Sequence, residues 1–311
     1  MKALVPEKKL PGLSIWWLAI RPKTLSISIT PVLLGSALAW HNSGVFSFIT
    51  FLVILLSALC IQIGTNLYND AVDFEKGADT AERLGPRRAT QQGWLNARQI
   101  KSGAFISFVI AFTAGIYLAW IGGMSIVILG LIAILCGYGY SAGPRPIAYS
   151  PLGEVFVVIF FGFAAVGGTY FLQCQAINPF VLILASTIGS MAAAILLVNN
   201  YRDLDGDQKV NKLTLVHYTG RPAARNIYIA MLVYPYLLLF ALLPVYSWTI
   251  LFPLLSLPLV ILLIKLFLQL AISSELNQVL ARTAQLQLVY TLLLCLGLLL
   301  RDLLLSADLL L

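Results

Sequence analysis

Two groups of acidic residues stand out in this chain because carboxylates are scarce elsewhere in it. The first group lies in residues 66–82 and the second in residues 199–207, and each follows a long apolar segment. Together they hold eight of the thirteen Asp and Glu residues. Carboxylates gathered at the ends of membrane helices are suited to binding divalent cations, and the bound cations in turn bind phosphates.

The spacing within each group predicts that several side-chain oxygens point the same way. In an α-helix, residues separated by three or four positions share a face. In the first group the residues so spaced are Asn66, Asn69, Asp70 and Asp73. In the second group they are Asn199, Asp203 and Asp207. Oxygen ligands with no His or Cys nearby favour a hard cation, Mg²⁺ before Ca²⁺.

Basic residues accompany both acidic groups. Those after the first group are Arg83, Arg87 and Arg88. Those in or near the second group are Arg202, Lys209 and Lys212. Guanidinium and ammonium groups are the usual direct contacts of phosphate oxygens. Membrane orientation alone also explains basic loops, but it does not explain acids at four-residue spacing in both places. The acids therefore carry the prediction of a phosphate site, and the basic residues support it.

The composition of the 311-residue chain is that of a membrane protein. Hydrophobic residues make up 59% and charged residues 11%, whereas a soluble domain carries roughly 25% charged residues. Apolar runs of about 20 residues, each long enough to cross a bilayer, recur along the chain. They predict an all-α polytopic protein with about nine transmembrane helices, near residues 22–41, 46–68, 101–121, 124–141, 154–174, 178–200, 226–246, 249–271 and 284–305.

Other kinds of site find no support in the sequence. The four Cys residues are scattered in apolar surroundings, and His41 and His217 are far apart, so neither residue type has metal-ligand spacing. The net charge of +7 reflects membrane orientation and does not indicate nucleic-acid binding.

The distribution of Lys and Arg predicts the topology. The connections near residues 42–45, 122–123, 175–177 and 246–248 contain neither residue, and the alternate connections are basic. By the positive-inside rule, the N-terminus and the basic loops are cytoplasmic. An odd number of helices then puts the C-terminus on the opposite side. With no transit peptide or extra soluble region in view, the expected location is a prokaryotic plasma membrane.

A weak internal repeat relates the two acidic groups. A helix, an acidic group and a basic loop occur after the second predicted helix and again after the sixth. The copies are four helices apart and share one orientation, which predicts two pseudo-repeated halves with a site between them. We expect one membrane domain over residues 1–311, with cytoplasmic loops near 69–100 and 201–225 carrying the site.

The two acidic groups resemble the aspartate-rich motifs of the UbiA superfamily of intramembrane prenyltransferases. Asn69 and Asp73 fit its first motif, and Asp203 and Asp207 fit its second. The third acid of the first motif is displaced, because Gly77 occupies its position and Asp79 follows two residues later. The resemblance implies a bundle of nine helices and Mg²⁺-dependent transfer of an isoprenoid from its diphosphate, usually to an aromatic acceptor.

Further segments are similar to one branch of this family, which prenylates 1,4-dihydroxy-2-naphthoate in menaquinone synthesis. The displaced acid belongs to this likeness, and the other segments are Arg21–Thr24, Arg83–Arg87, Tyr140–Pro146, Leu152–Glu154, Asn199–Asp203 and Lys212–Leu215. The similar segments span roughly residues 20 to 225. One departure is Asn211, which stands where the family pattern leads us to expect Gly.

The resemblance implies a role for each matching residue. The implied metal ligands are Asn69, Asp70, Asp73, Asp79, Asn199, Asp203 and Asp207. The implied diphosphate contacts are Arg21, Arg83, Arg87, Arg88, Arg145, Arg202, Lys209 and Lys212. Among these, the residues expected to matter most for catalysis are Asp73, Asp203, Arg87 and Lys212. Tyr140, Tyr149 and Glu154 are the candidate acceptor contacts. The polyprenyl tail of the diphosphate is expected to lie between helices, with an opening toward lipid.

Two kinds of alternative remain at this point. Within the family, the acceptor could instead be 4-hydroxybenzoate, homogentisate or an intermediate of the futalosine pathway. In a different class, the protein could transport an anionic or phosphorylated solute, since repeated halves and basic residues suit transport as well. Against transport, the acids cluster at the predicted cytoplasmic helix ends, and the opposite face has almost no charge.

Overall fold

The computed structural model describes residues 12–79, 83–144 and 146–308, with side chains described as far as residue 301. The helices of the first half are α1 (Gly12–Ala19), α2 (Pro22–Ser43), α3 (Phe48–Glu75) and α4 (Ala97–Gly139). A 3₁₀ turn at Ile147–Tyr149 follows. The later helices are α5 (Gly153–Val157), α6 (Ala165–Cys174), α7 (Pro179–Lys209), α8 (Leu215–Leu242), α9 (Leu257–Gln269) and α10 (Leu276–Asp308). A π-helical segment, Val158–Ala164, joins α5 to α6, and a 3₁₀ segment, Trp248–Ser256, leads into α9.

In the described residues, eight helical segments are long and apolar enough to cross a membrane. One of them, α4, is broken at Gly123, whose φ of 64° and ψ of −158° are not helical. Both ends of α4 lie beside the end of α3, because Lys101 binds Glu75 and Ser141 binds Asn69. The chain therefore reverses at Gly123, and the described part of the chain makes nine crossings, as the hydropathy pattern predicts.

The helices that carry the acidic groups extend further than apolar runs indicate. α3 continues to Glu75 and α7 to Lys209, and α10 starts at Leu276. Hydropathy marks only the part of a helix that lies in lipid, whereas these helices extend into a polar environment where their backbone hydrogen bonds continue. Asp73 and Asp207 consequently sit on helix ends, where the apolar runs predict loops.

α7 is the central helix of the bundle, and most of its apolar side chains are buried. The π-helical segment packs directly against it at two glycines. A Cβ atom added to Gly189 would lie 2.8 Å from the carbonyl oxygen of Val158, and one added to Gly162 would lie 2.8 Å from that of Ala185. This close backbone contact fixes the position of the π-helical segment, and of α5 before it, relative to α7.

Candidate active site

The end of α3 presents the first acidic group to three other elements. Asn69 donates a hydrogen bond from Nδ2 to the hydroxyl of Ser141, which follows α4, at 2.9 Å. Asp73 Oδ1 accepts a hydrogen bond at 3.1 Å from the hydroxyl of Tyr149 in the 3₁₀ turn. Both side chains are buried. Ser141 and Tyr149 therefore fix the orientation of the two residues that fit the first family motif.

A tight turn after α3 returns Asp79 to the same site. Gly77 takes a left-handed conformation with φ of 72°, which a side chain would strain, and the N–H of Ala78 donates to the carbonyl of Asp73 at 2.8 Å. Arg88 Nη1 lies 3.0 Å from Asp73 Oδ2 and 2.9 Å from Asp79 Oδ2. The displaced acid of the motif is thus joined to Asp73 through one arginine.

Two arginines balance the first acidic group. Arg83 also binds Asp79, and Arg88 donates to the backbone carbonyl of Asn69 at 3.0 Å. Burial opposes the charge of Arg88, but the carboxylates of Asp73 and Asp79 outweigh this effect and raise its pKa. Arg88 is therefore held as a buried cation at the centre of this half of the site.

Asp70 binds the backbone of the segment that follows Arg88. Its carboxylate accepts hydrogen bonds from the backbone N–H of Ala89 at 3.1 Å and from the backbone N–H and hydroxyl of Thr90. It is 1% exposed. These contacts hold the segment that follows Arg88, so they give Asp70 a structural position, and its predicted role as a metal ligand stays a prediction.

The second acidic group lies along the end of α7. Arg202 Nε donates to Asp203 Oδ1 at 2.7 Å, and its Nη2 donates to Asn199 Oδ1 at 2.8 Å. Lys212 Nζ lies 3.2 Å from Asp207 Oδ1, whereas Asp207 Oδ2 is buried without a hydrogen-bond partner. Asn199, Asp203 and Asp207 occupy positions i, i+4 and i+8 of one continuous helix, as the spacing predicts.

Asn211 allows Lys212 to reach Asp207. Its backbone is left-handed, with φ of 54°, and the N–H of Lys212 donates to the carbonyl of Asp207 at 2.9 Å. Asn tolerates this conformation better than most residues with a side chain. The expectation of Gly at this position thus has a physical basis, and Asn meets the same backbone requirement.

Tyr149 connects the two acidic groups. While its hydroxyl binds Asp73, its ring lies 4.4 Å from Lys76 Nζ and 5.8 Å from Lys212 Nζ. Burial and the nearby charge of Asp73 raise the pKa of Tyr149, so it keeps its proton and remains a donor. The charges also interact across the site, Asp73 with Lys212 and Asp203 with Arg83. The two groups therefore lie beside each other, and their action as one site stays a prediction.

Arg21 approaches the first acidic group from the connection between α1 and α2. Its backbone is left-handed (φ 58°, ψ 62°), a conformation that is uncommon for residues with a side chain and is found at functional sites. Its Nη2 donates to Asn69 Oδ1 at 3.4 Å. Burial and the charges of Arg88 and Arg83 lower the pKa of Arg21. An anion bound here would stabilise the charged form of all three arginines.

Glu154 lies at the start of α5, beside the second group. Its Oε1 accepts a hydrogen bond from Asn200 Nδ2 at 2.8 Å, and its Oε2 is buried without a partner. Asn200 and Tyr140 both line the cavity described next. Glu154 is therefore one residue away from that cavity and contacts it through Asn200.

One cavity of about 850 Å³ joins the charged residues to the interior of the bundle. Its polar end is lined by Arg21, Asn69, Arg83, Arg87, Arg88, Asn199, Lys212 and Asn277. The rest of its wall is apolar and includes Ile54, Leu118, Phe160 and Ile195. Phe112 and Ile116 of α4 also line it, and they are 52% and 60% exposed, so the cavity reaches the outer surface of the bundle. Its shape suits a molecule with an anionic head and a long apolar tail.

The remaining predicted residues are placed differently. Arg87 and Lys209 are exposed, and Arg145 lies outside the described residues. Arg202 is 1% exposed and serves as the counter-ion of Asp203, so a direct diphosphate contact by Arg202 stays a prediction. Sequence reasoning missed Asn277, because its predicted helix began at residue 284. An amide just ahead of a long apolar run was the available signal.

Comparison with known proteins agrees with this geometry. The UbiA prenyltransferase family matches residues 28–289. The chain belongs to this family. A 1,4-dihydroxy-2-naphthoate octaprenyltransferase of Haemophilus influenzae is 34% identical over 310 residues, which cover 96% of this chain and 98% of that protein. The enzyme of the same name from Bacillus subtilis is 37% identical over 219 residues, which cover 70% of each chain.

The helical bundle of this UbiA-family chain also matches a solved structure. A UbiA homolog from Archaeoglobus fulgidus, bound to DMAPP and Mg²⁺, superposes with a TM-score of 0.59 over 90% of this chain and 99% of that one. The identity is 13%, so this match speaks for the fold. The prediction of an all-α bundle of the UbiA type is confirmed.

The UbiA-family site has the donors for a hard cation but not a complete shell. In the described part of the chain, no three His, Cys, Asp or Glu side chains come together as a metal site. The available donors are carboxylate and amide oxygens, among them the unpartnered Asp207 Oδ2. Mg²⁺ usually takes one or two carboxylates and completes its shell with water and substrate phosphate. The residues fit an ion that is bound together with a diphosphate.

Proposed function

We propose that the protein transfers a polyprenyl group from polyprenyl diphosphate to 1,4-dihydroxy-2-naphthoate, with loss of carbon dioxide, to give demethylmenaquinol. The observation that carries this proposal is one cavity with a polar end and an apolar wall. The polar end holds an amide of each acidic group, Asn69 and Asn199, together with Arg21, Arg83, Arg88 and Lys212. The choice of acceptor is supported by relatives that bear the name 1,4-dihydroxy-2-naphthoate octaprenyltransferase. 4-Hydroxybenzoate and homogentisate are the alternative acceptors.

The diphosphate would occupy the polar end of the cavity. The side chains proposed to hold Mg²⁺ there are Asn69, Asp73, Asp79, Asn199, Asp203 and Asp207, with Asp70 as a further candidate. Bound Mg²⁺ would supply Lewis-acid stabilisation of the diphosphate. Arg21, Arg83, Arg88 and Lys212 line the same end and would bind its oxygens directly, with Arg87 beside them. The exposed Lys209 and the undescribed Arg145 remain candidates for the same role.

The basic side chains would stabilise the transition state more than the ground state. As the allylic C–O bond breaks, negative charge grows on the diphosphate, and the fixed guanidinium groups are already in place to stabilise it. Arg88 and Arg83 are held by carboxylates before substrate binds, so little reorganisation is needed. The allylic cation would form beside Tyr140, which lines the cavity and whose ring suits a nearby positive charge. Tyr149 is a further candidate for this role.

The acceptor would enter beside the second acidic group. The carboxyl-bearing carbon of the electron-rich ring attacks the allylic cation and forms the new C–C bond. The ring then loses carbon dioxide and a proton and regains aromaticity. Glu154 and Asn200 form a buried polar pair at this position, with one carboxylate oxygen unpartnered. We assign this pair, with Tyr140 and Tyr149, to binding or orienting the hydroxyl groups of the acceptor.

The protein is a multi-pass membrane protein of bacterial type, judged by its apolar helices and its bacterial relatives. We propose that it lies in the plasma membrane with the acidic groups on the cytoplasmic side, since the basic connections lie at that end. The nine crossings then place Arg301 on the opposite side. Its guanidinium contacts His41 of the α2 end at 2.9 Å, which agrees with that arrangement.

The test is prenyl transfer by the purified protein in detergent. We would supply 1,4-dihydroxy-2-naphthoate, a long-chain prenyl diphosphate and Mg²⁺, with EDTA and 4-hydroxybenzoate controls. A decarboxylated prenyl-naphthoquinol that disappears with EDTA is the expected product. Transfer to 4-hydroxybenzoate alone would overturn the acceptor and keep the reaction class. Failure to bind any diphosphate in the presence of Mg²⁺ would overturn the reaction class and favour a transporter.

A further inference from the structure

The first turn of α10 carries a side-chain amide that contacts both halves of the site. Asn277 Oδ1 accepts a hydrogen bond from Arg202 Nη1 at 2.5 Å, and its Nδ2 donates to the carbonyl oxygen of Leu84 at 2.9 Å. A donor on one side and an acceptor on the other fix the orientation of the amide. Asn277 is 75 positions from Arg202 and 193 from Leu84, so only the tertiary structure brings the three together.

The two partners of Asn277 lie in different parts of the site, Arg202 in the second acidic group and Leu84 in the basic segment that follows the first. Arg202 is buried and holds both Asn199 and Asp203 with its other nitrogens. Leu84 lies in residues 83–88, the segment whose arginines bind Asp79 and line the cavity. Asn277 lines the same cavity. Its amide therefore connects the backbone of the basic segment to the counter-ion of the second group.

We propose that Asn277 is a positioning residue that holds residues 83–88 against Arg202, so that the arginines of the first half and the acids of the second half bind one diphosphate together. The inference rests on the proposed function. Its physical basis is preorganisation, since a cation held in place before binding loses less freedom when substrate arrives. No direct contact between Asn277 and substrate is required.

Two variants separate the two bonds of Asn277. Asn277→Ala removes both. Asn277→Asp keeps the size and the acceptor that faces Arg202, but it cannot donate to the carbonyl of Leu84. The matched control is Gln278→Ala, because Gln278 is the exposed next residue and its hydrogen bond in this region, to the carbonyl of Glu275, comes from its backbone.

Two measurements are made on the full-length protein in detergent. The first is calorimetric binding of inorganic pyrophosphate with Mg²⁺. The second is the rate of trypsin cleavage after Arg83 and Arg87 in the absence of ligand. Because no anion is present, the negative charge of Asn277→Asp cannot affect this rate by repelling a ligand. We expect about tenfold weaker pyrophosphate binding in Asn277→Ala. The effect is smaller than the loss of two hydrogen bonds because Asn277 acts only through the segment that it holds. Cleavage should be faster in both variants and unchanged in Gln278→Ala.

Steady-state kinetics add a readout that general destabilisation would not produce. The KM for prenyl diphosphate should rise in Asn277→Ala, and the KM for the acceptor should stay the same. Wild-type cleavage rates and pyrophosphate affinity in both variants would overturn the proposal. If the wild-type protein itself binds no pyrophosphate, the proposed function fails, and the cleavage rates still decide whether Asn277 holds the segment. If Asn277→Ala does not fold, Asn277→Asp carries the test.

Discussion

The two acidic groups of this UbiA-family protein are built in different ways. In the first, Asp73 lies on α3 and Asp79 lies beyond it, and the two meet through Arg88. In the second, the acids lie on α7 alone, and Arg202 and Lys212 are close to them in sequence. The first group therefore depends on the packing of a long connection, whereas the second is largely specified by one helix and its end.

The two groups also share one device. Each uses a single left-handed residue to reverse the chain after its helix, Gly77 in the first and Asn211 in the second. The reversal returns Asp79 to the first group and Lys212 to the second. The returned residue is an acid in the first group and a base in the second. Lys212 therefore pairs with an acid of its own group, whereas Asp79 adds an acid that needs arginines from the following segment.

The largest expected effect tests whether both groups act on one substrate. Asp73→Asn and Asp203→Asn should each lower turnover by about 10²–10³-fold, because each removes a charged ligand from the proposed diphosphate site. The double variant should be little worse than either alone if the groups act as a unit. Rates are measured with saturating Mg²⁺ and both substrates, and folding is checked by thermal unfolding in detergent.

Asp205→Asn is the matched control for this pair. Asp205 lies between the acids of the second group, but its side chain is 70% exposed and pairs with Arg221. Its activity should be that of the wild type. Near-normal turnover in Asp73→Asn or Asp203→Asn would contradict a shared site, and strictly multiplicative losses in the double variant would indicate two independent ones.

A moderate effect is expected at the tyrosine that joins the two groups. Tyr149→Phe removes the hydrogen bond to Asp73 but keeps the ring beside Lys76 and Lys212. Pyrophosphate binding should weaken by roughly tenfold, since a hydrogen bond to a charged group contributes about 1.5–3 kcal/mol and part of it is replaced by water. The measurement is calorimetric binding with Mg²⁺, and an affinity equal to that of the wild type would show that the phenol does not organise the site.

The pH dependence of that effect follows from the raised pKa of Tyr149. A free tyrosine loses its proton near pH 10, so the raised pKa keeps the donor in place below that pH, and its contribution is lost only as the pH rises through the higher value. The ratio of wild-type to Tyr149→Phe affinity should therefore be constant between about pH 7 and pH 9.5. A ratio that falls toward unity within that range would show that the phenol ionises there.

A smaller effect is expected where the first group depends on its connection. Asp70→Ala leaves the buried N–H groups of Ala89 and Thr90 without their acceptor. The free energy of unfolding should fall by about 1–3 kcal/mol, and turnover should fall less than in Asp73→Asn. Chemical or thermal unfolding in detergent measures the first quantity. Full stability combined with lost Mg²⁺ binding would instead make Asp70 a metal ligand.

The bundle was predictable from the sequence because membrane helices leave few alternatives. Lipid requires every backbone group to be satisfied within a helix, so apolar runs identify the crossings well. The helix ends were harder, since beyond the lipid the chain can continue as helix or leave it. α3 and α7 continue through their acidic groups, and α10 begins earlier than its apolar run. Polar residues at those ends carry no hydropathy signal that separates the two outcomes.

The site was predictable in its residue types and less so in its contacts. Four-residue spacing correctly put Asn199, Asp203 and Asp207 on one helix face. It did not distinguish Asp70 from Asp73, although one turns to a backbone segment and the other to a tyrosine hydroxyl. Residues three positions apart on a helix differ in direction by only about 60°, and tertiary packing decides which partner each one meets. The amide of Asn277 is visible in the sequence ahead of its apolar run, but its partners Arg202 and Leu84 are not, because they are brought to it only by tertiary packing.

The smallest effect concerns the two chain reversals. Gly77→Ala places a side chain in a left-handed conformation and should lower the free energy of unfolding by about 1–2 kcal/mol. Asn211→Ala should cost less than this, because the wild-type residue already carries a side chain there, and Asn211→Gly should remove the strain. Gly206→Ala is the control, since Gly206 lies in α7 with open space for a Cβ and should gain about 0.5–1 kcal/mol. Thermal unfolding in detergent orders the four variants. Equal losses in Gly77→Ala and Asn211→Ala would mean that backbone strain does not distinguish the two reversals, and the difference between the halves would then lie in the side-chain contacts of Asp79 and Lys212 alone.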